Sequence, residues 1–144
     1  MFEVLCSKES ELTRQSLQQG LSAKRFGLSE GDLSTTVGRR NLFCHLARDQ
    51  PENLWISPTC GPWCQWSHLN MSKSAELRDT ILQNRKNNIW QISLAVFLCQ
   101  HQLSHNRHFH CEQPHGSNML TLECFCPIRA VSYTHLTLPT KLEV

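Results

Sequence analysis

The sequence predicts an α/β domain whose sheet is mostly parallel and carries helices on both faces. Three features predict it. A short apolar stretch, Leu54-Trp55-Ile56, runs into Ser57-Pro58-Thr59-Cys60, and a second, Phe109-His110, runs into Cys111-Glu112-Gln113-Pro114. Between them lies a long helical pattern, so the two strands are joined by a crossover and lie parallel, with both following segments at one sheet edge. At the N-terminus a strand, a helix and another strand repeat the layout. In open α/β sheets ligands bind at the carboxyl edge, so the residues after each strand are the first functional candidates.

Each element has its own signals. Phe2-Glu3-Val4-Leu5-Cys6 is the first expected strand. Ser7 is the expected cap of a helix with Glu9 and Glu11 in its first turn, where carboxylates suit the positive helix end, and Gly20 closes that helix. Residues 21–26 form the second expected strand, and the two glycines between residues 27 and 32 mark a turn-rich connection. Ser34 or Thr35 caps the next helix, Val37, Leu42, Phe43 and Leu46 give its apolar face, and Pro51 ends it. Over residues 74–104 the pattern is helical, with Ile89, Ile92, Val96, Cys99 and Leu103 as the sheet-facing stripe. The polar run Asn84-Arg85-Lys86-Asn87-Asn88 leaves one helix or two open. Trp55, Trp63, Trp66 and Trp90 are expected to pack.

With 144 residues the chain fits one domain able to bury a sizeable core. The 14 basic and 12 acidic side chains are dispersed, giving a net charge of +2, so charge alone names no nucleic-acid or membrane partner. The eight cysteines fall below disulfide-scaffold density, and Met1-Phe2-Glu3-Val4 is no secretory leader. An intracellular protein with reduced thiols is expected, with nuclear residence open. The longest apolar run, residues 94–99, is too short to cross a bilayer, so no membrane partner is expected.

Ser57-Pro58-Thr59-Cys60 resembles a degenerate Pro-Pro-Cys motif of cytosine-C5 DNA methyltransferases, and Glu112-Gln113-Pro114 resembles their Glu-Asn-Val motif. More widely, Lys8-Glu9-Ser10-Glu11-Leu12-Thr13, Gly31-Asp32-Leu33-Ser34-Thr35, Cys60-Gly61-Pro62-Trp63 and Glu112 through Ser117 resemble uncharacterised methyltransferase-like segments of protist retroelement polyproteins. The resemblance implies a Rossmann-like methyltransferase fold over residues 1–129, truncated at its C-terminus and part of a longer polyprotein. The last 14 residues, 131–144, resemble translated sequencing-adapter read-through, and residues 130–144 are expected to be an artefactual or disordered tail.

The resemblance also implies a chemistry. Cys60 would attack ring carbon 6 of a flipped cytosine while Glu112 offsets charge near ring nitrogen 3. S-adenosylmethionine would be the cofactor, with Ser7, Asp32, Ser57 and Pro58 around it. The sequence departs from the family in three places. No glycine follows the first strand, Thr59 replaces the second proline, and the acidic candidates Glu30 and Asp32 are displaced from the end of the second strand. The leading expectation is therefore a degenerate, non-catalytic methyltransferase-like domain facing nucleic acid, and the alternative is an active cytosine methyltransferase. A zinc module built from Cys60, Cys64, His108, His110, Cys111, His115, Cys124 and Cys126 is a further alternative. Its spacing is loose, with one residue between Cys124 and Cys126, and no metal ligand is assigned.

Overall fold

A computed structural model describes residues 1–130; the expected tail, beyond Ala130, lies outside the described residues. The described part contains strands β1 (Phe2–Val4), β2 (Lys24–Phe26), β3 (Asn53–Ile56) and β4 (His108–Cys111). Helices are α1 (Glu11–Gln18), α2 (Thr36–Asp49), α3 (Gln65–Met71), α4 (Ala75–Ser104) and α5 (Cys126–Arg129). The chain divides into two compact units, one of Met1–Thr59 with Asn88–Glu112 and one of Cys60–Asn87 with Gln113–Val144.

The first unit holds the sheet. Its four strands are ordered β2-β1-β3-β4 and every pair is parallel, as the crossover reading requires. Val4, Phe26, Ile56 and Cys111 share one row across the sheet, as do Glu3, Arg25, Trp55 and His110 on the opposite face. Strands of three or four residues make few ladder bonds, so packing must supply the rest. Phe2, Val4, Phe26, Leu54 and Ile56 are buried, and α2 and α4 add Leu42, Leu46, Ile92, Leu98 and Cys99 to the same core. The Phe26 ring lies 5.5 Å from that of His45 on α2, and Phe43 of α2 lies 5.2 Å from Phe97 of α4. On the Glu3 face stands α1. The buried Glu3 carboxylate accepts hydrogen bonds from Thr13, at 2.6 Å, and from Ser10.

Several expectations change in detail. Ser10, not Ser7, caps α1, because the Ser10 hydroxyl is the one that accepts from the Thr13 amide. Leu5 leaves the first strand early at φ 60°, a left-handed conformation that costs a leucine about 1–2 kcal/mol. Thr35 caps α2 through Gly38 N–H. The buried line of α2 is Gly38, Leu42 and Leu46, whereas Val37 is 69% and Phe43 37% exposed. A glycine belongs on that line because a Cβ there would meet the Asp32 carbonyl oxygen at 2.0 Å. α4 is one continuous helix of 30 residues. Its buried stripe runs through Ile92, Ala95, Leu98, Cys99 and Gln102 and leaves Ile89 53% exposed.

Gln102 is fully buried near the end of α4, and its Nε2 donates to the Pro51 carbonyl at 3.1 Å and the His108 carbonyl at 2.9 Å. One amide thus clasps the chain before β3 and the first residue of β4.

The second unit is built from turns and short helices. Gly61–Trp63 forms a 3-10 turn leading into α3, and Met119–Thr121 and Glu123–Phe125 are two more turns before α5. Trp63, Met119, Phe125 and Ile128 are buried. Arg85 Nε donates to the Pro62 carbonyl at 2.9 Å, and Asn118 N–H donates to that of Trp63 at 3.0 Å. Trp63 and the half-buried Trp55 and Trp90 fit the packing expectation, but Trp66 is 74% exposed, as its place on α3 leaves it facing solvent.

Two substitutions test these contacts by urea unfolding. Gln102→Leu removes both hydrogen bonds and is expected to cost about 1–3 kcal/mol; no loss would show that the clasp is not a stability element. Gly27→Ala is expected to cost about 1–3 kcal/mol by overpacking, because its Cβ would stand 2.5 Å from the backbone oxygen of Cys6.

Candidate functional site

Parallel pairing fixes one edge as the carboxyl edge, and the order β2-β1-β3-β4 reverses direction between β1 and β3. A crevice outside that switch point is the general ligand position in open α/β sheets. Ser57 follows β3 and Glu112 follows β4 in one register, since Ile56 pairs with Cys111. Their backbones continue the ladder one step further. Ser57 N–H donates to the Val4 carbonyl at 3.1 Å, and Glu112 N–H donates to that of Ile56 at 3.0 Å. Ser57 is half-buried, Pro58 is buried, and Glu112 is exposed. Thr59 N–H is held by the Gln91 side chain of α4 at 2.9 Å. The expected positions of Ser57, Pro58 and Glu112 at one sheet edge are therefore met within the first unit. Cys60 belongs to the second unit, where it is half-buried and opens the 3-10 turn with its carbonyl accepting from Trp63 N–H at 2.9 Å.

Beside β1 and β2 the edge has a different character. Cys6, Ser7, Lys8, Leu28 and Ser29 line a cavity of about 410 Å³. Its rim is drawn tight where Gly27 approaches the Cys6 carbonyl, which leaves no space for a side chain at residue 27. Burial, followed by the charge of Glu3, pushes the Cys6 thiol up to about 11. Ser7 is an exposed member of this wall. The two displaced carboxylates are engaged nearby. Glu30 accepts from Gly27 N–H at 2.7 Å and Ser29 Oγ at 2.8 Å, and it pairs with Arg25 at 3.4 Å. Asp32 accepts from Ser34 N–H at 2.9 Å and Ser34 Oγ at 2.7 Å, bonds that lower its pKa. It works as a turn-forming acceptor before α2.

The motifs offer Cys64 only as a zinc-ligand candidate, not as a thiolate. In the second unit its thiol pKa is lowered, first by the Ser67 backbone N–H, with further help from the Ser67 hydroxyl and Trp66 N–H and against a smaller burial effect. Its Sγ lies 3.2 Å from the Gly61 carbonyl and 3.6 Å from Ser67 Oγ. The signal was the start of α3 one residue later, since helix-start amides favour a thiolate. Among the described residues, no group of three or more His, Cys, Asp and Glu side chains is placed to hold a metal ion, so the zinc-module alternative gains no ligand set. No described helix is long and apolar enough to cross a membrane.

Compared with protein-family models, curated proteins and solved structures, the chain matches none of them.

Thiol chemistry tests the two environments. At about pH 8 the Cys6 thiol should be about one part in a thousand thiolate, whereas Cys64, shifted the other way, should react with iodoacetamide well ahead of it. Peptide mapping of a time course should show Cys64 labelled first of these two, and Cys64→Ser should delete that early label. Equal rates at both sites would overturn the assignment.

Proposed function

We propose that this chain is a methyltransferase-like α/β domain of a mobile-element-type protein that retains the sheet edge of such enzymes but does not catalyse methyl transfer. The parallel placement of Ser57-Pro58 and Glu112 after neighbouring strands supports the ancestry, because it is the juxtaposition the resemblance requires. The region beside β1 and β2 supports the loss of turnover. A cofactor with a sulfonium, an ammonium and a ribose needs a close backbone approach and uncommitted carboxylates. Here Leu5 stands in the turn, Lys8 brings a cation to the cavity wall, and Glu30 and Asp32 already serve their own loop. The residues present do not fit S-adenosylmethionine, and no step is derived through it.

Nucleic acid is the partner class that the ancestry implies. The second reading, an active cytosine methyltransferase with Cys60 as nucleophile and Glu112 as acid, is favoured by one observation, the exposed Glu112 at the carboxyl end of β4. It requires that Cys60→Ser and Glu112→Gln each abolish methyl transfer by the longer parent protein.

Calorimetric titration of S-adenosylmethionine into the folded chain separates the two. The non-catalytic reading expects no saturable heat. Binding tighter than about 100 μM, about 5.5 kcal/mol, would overturn it in favour of the enzyme.

A further inference from the structure

The end of α4 carries a pair of imidazoles that no part of the methyltransferase reading uses. His101 and His105 are four residues apart, one above the other on a single helix face. Their ring centroids are 4.4 Å apart with 46° between the planes. His105 Nδ1 lies 2.8 Å from the His101 carbonyl oxygen. A carbonyl only accepts, so Nδ1 bears the hydrogen and Nε2 keeps its lone pair. This is how histidine ligands are oriented in metal sites, where a backbone carbonyl fixes the tautomer from behind. Ser104 Oγ donates to the same carbonyl at 2.9 Å and borders Nδ1 at 3.1 Å. The His101 ring is supported on its other side by Phe97, 6.2 Å away and 14° from parallel.

We propose that His101 and His105 form a two-nitrogen chelating site for a divalent borderline transition ion such as Zn²⁺. Imidazole pairs select Zn²⁺, Cu²⁺ or Ni²⁺ over Mg²⁺ and Ca²⁺, which need oxygen ligands. Among the described residues no third His, Cys, Asp or Glu joins them, so water completes the coordination and the ion exchanges readily. The nearby Arg107 charge limits affinity for a cation.

The test is a Zn²⁺ titration of the full chain followed by the side-chain nitrogen resonances of its eight histidines. This readout is independent of metal bound at cysteines. His101 and His105 should move together along one saturation curve, with Mg²⁺ causing no movement. His101→Gln and His105→Gln should each weaken the remaining shift by about tenfold or more, with far-UV circular dichroism unchanged. Separate midpoints for the two rings, or a remaining ring that titrates as before in either variant, would overturn the site.

Discussion

The buried amide of Gln102 ties together the starts of β3 and β4. It donates to the carbonyl of Pro51, just before β3, and to that of His108, the first residue of β4. Strands of four residues slip readily when only their own ladder holds them. With both strand starts clasped to one side chain of α4, Asn53 faces His108 and Ile56 faces Cys111. Ser57 and Glu112 then emerge side by side, and every functional reading of this edge follows from that placement. The cost is an amide oxygen of Gln102 that is buried without a hydrogen-bond partner. It is accepted because the two donated bonds fix the fold.

On the other half of the edge, polar groups satisfy each other instead of a ligand. Glu3 is turned inward to the hydroxyls of Ser10 and Thr13, which anchors the start of α1. Glu30 closes on Gly27 and Arg25, and Asp32 closes on Ser34. Arg25 also donates to the Lys8 carbonyl, drawing the loop after β1 toward β2. A cofactor would have to compete with each of these contacts. The loops after β1 and β2 thus fasten to one another beside the carboxyl edge.

Topology was legible in the sequence because it rests on apolar runs and a crossover length, which tolerate errors of a residue or two. The β1 and α1 boundaries were not. A serine at residue 7 and one at residue 10 look alike as caps, and only the buried Glu3 carboxylate distinguishes Ser10. Half of the expected α2 face holds, with Leu42 and Leu46 buried, but the third buried position is Gly38, which carries no hydrophobic signal, while Val37 and Phe43 are exposed. The α4 stripe was shifted because Ala95 and Gln102 lie on it while the branched Ile89 does not. The polar run over residues 84–88 is no helix break. It falls where the chain passes from the second compact unit to the first, at Asn87 and Asn88.

The two cysteines after β3 show why a motif is weaker than an environment. Cys60 was singled out by its neighbours in sequence, Ser57, Pro58 and Thr59, which shape a turn but supply no charge to the sulfur. Thiolate character comes from donors and cations around the atom. Cys64 has them in the amides that open α3, whereas Cys6 has burial and a nearby carboxylate, and the two thiols shift in opposite directions. The α3 start is itself a consequence of the Gly61-Pro62-Trp63 turn, in which buried Pro62 and Trp63 set the direction of the following helix. The same turn therefore leads into amides that lower the Cys64 pKa one turn further on. What favours a thiolate there is where the helix begins, a feature that the sequence neighbours of Cys60 do not mark.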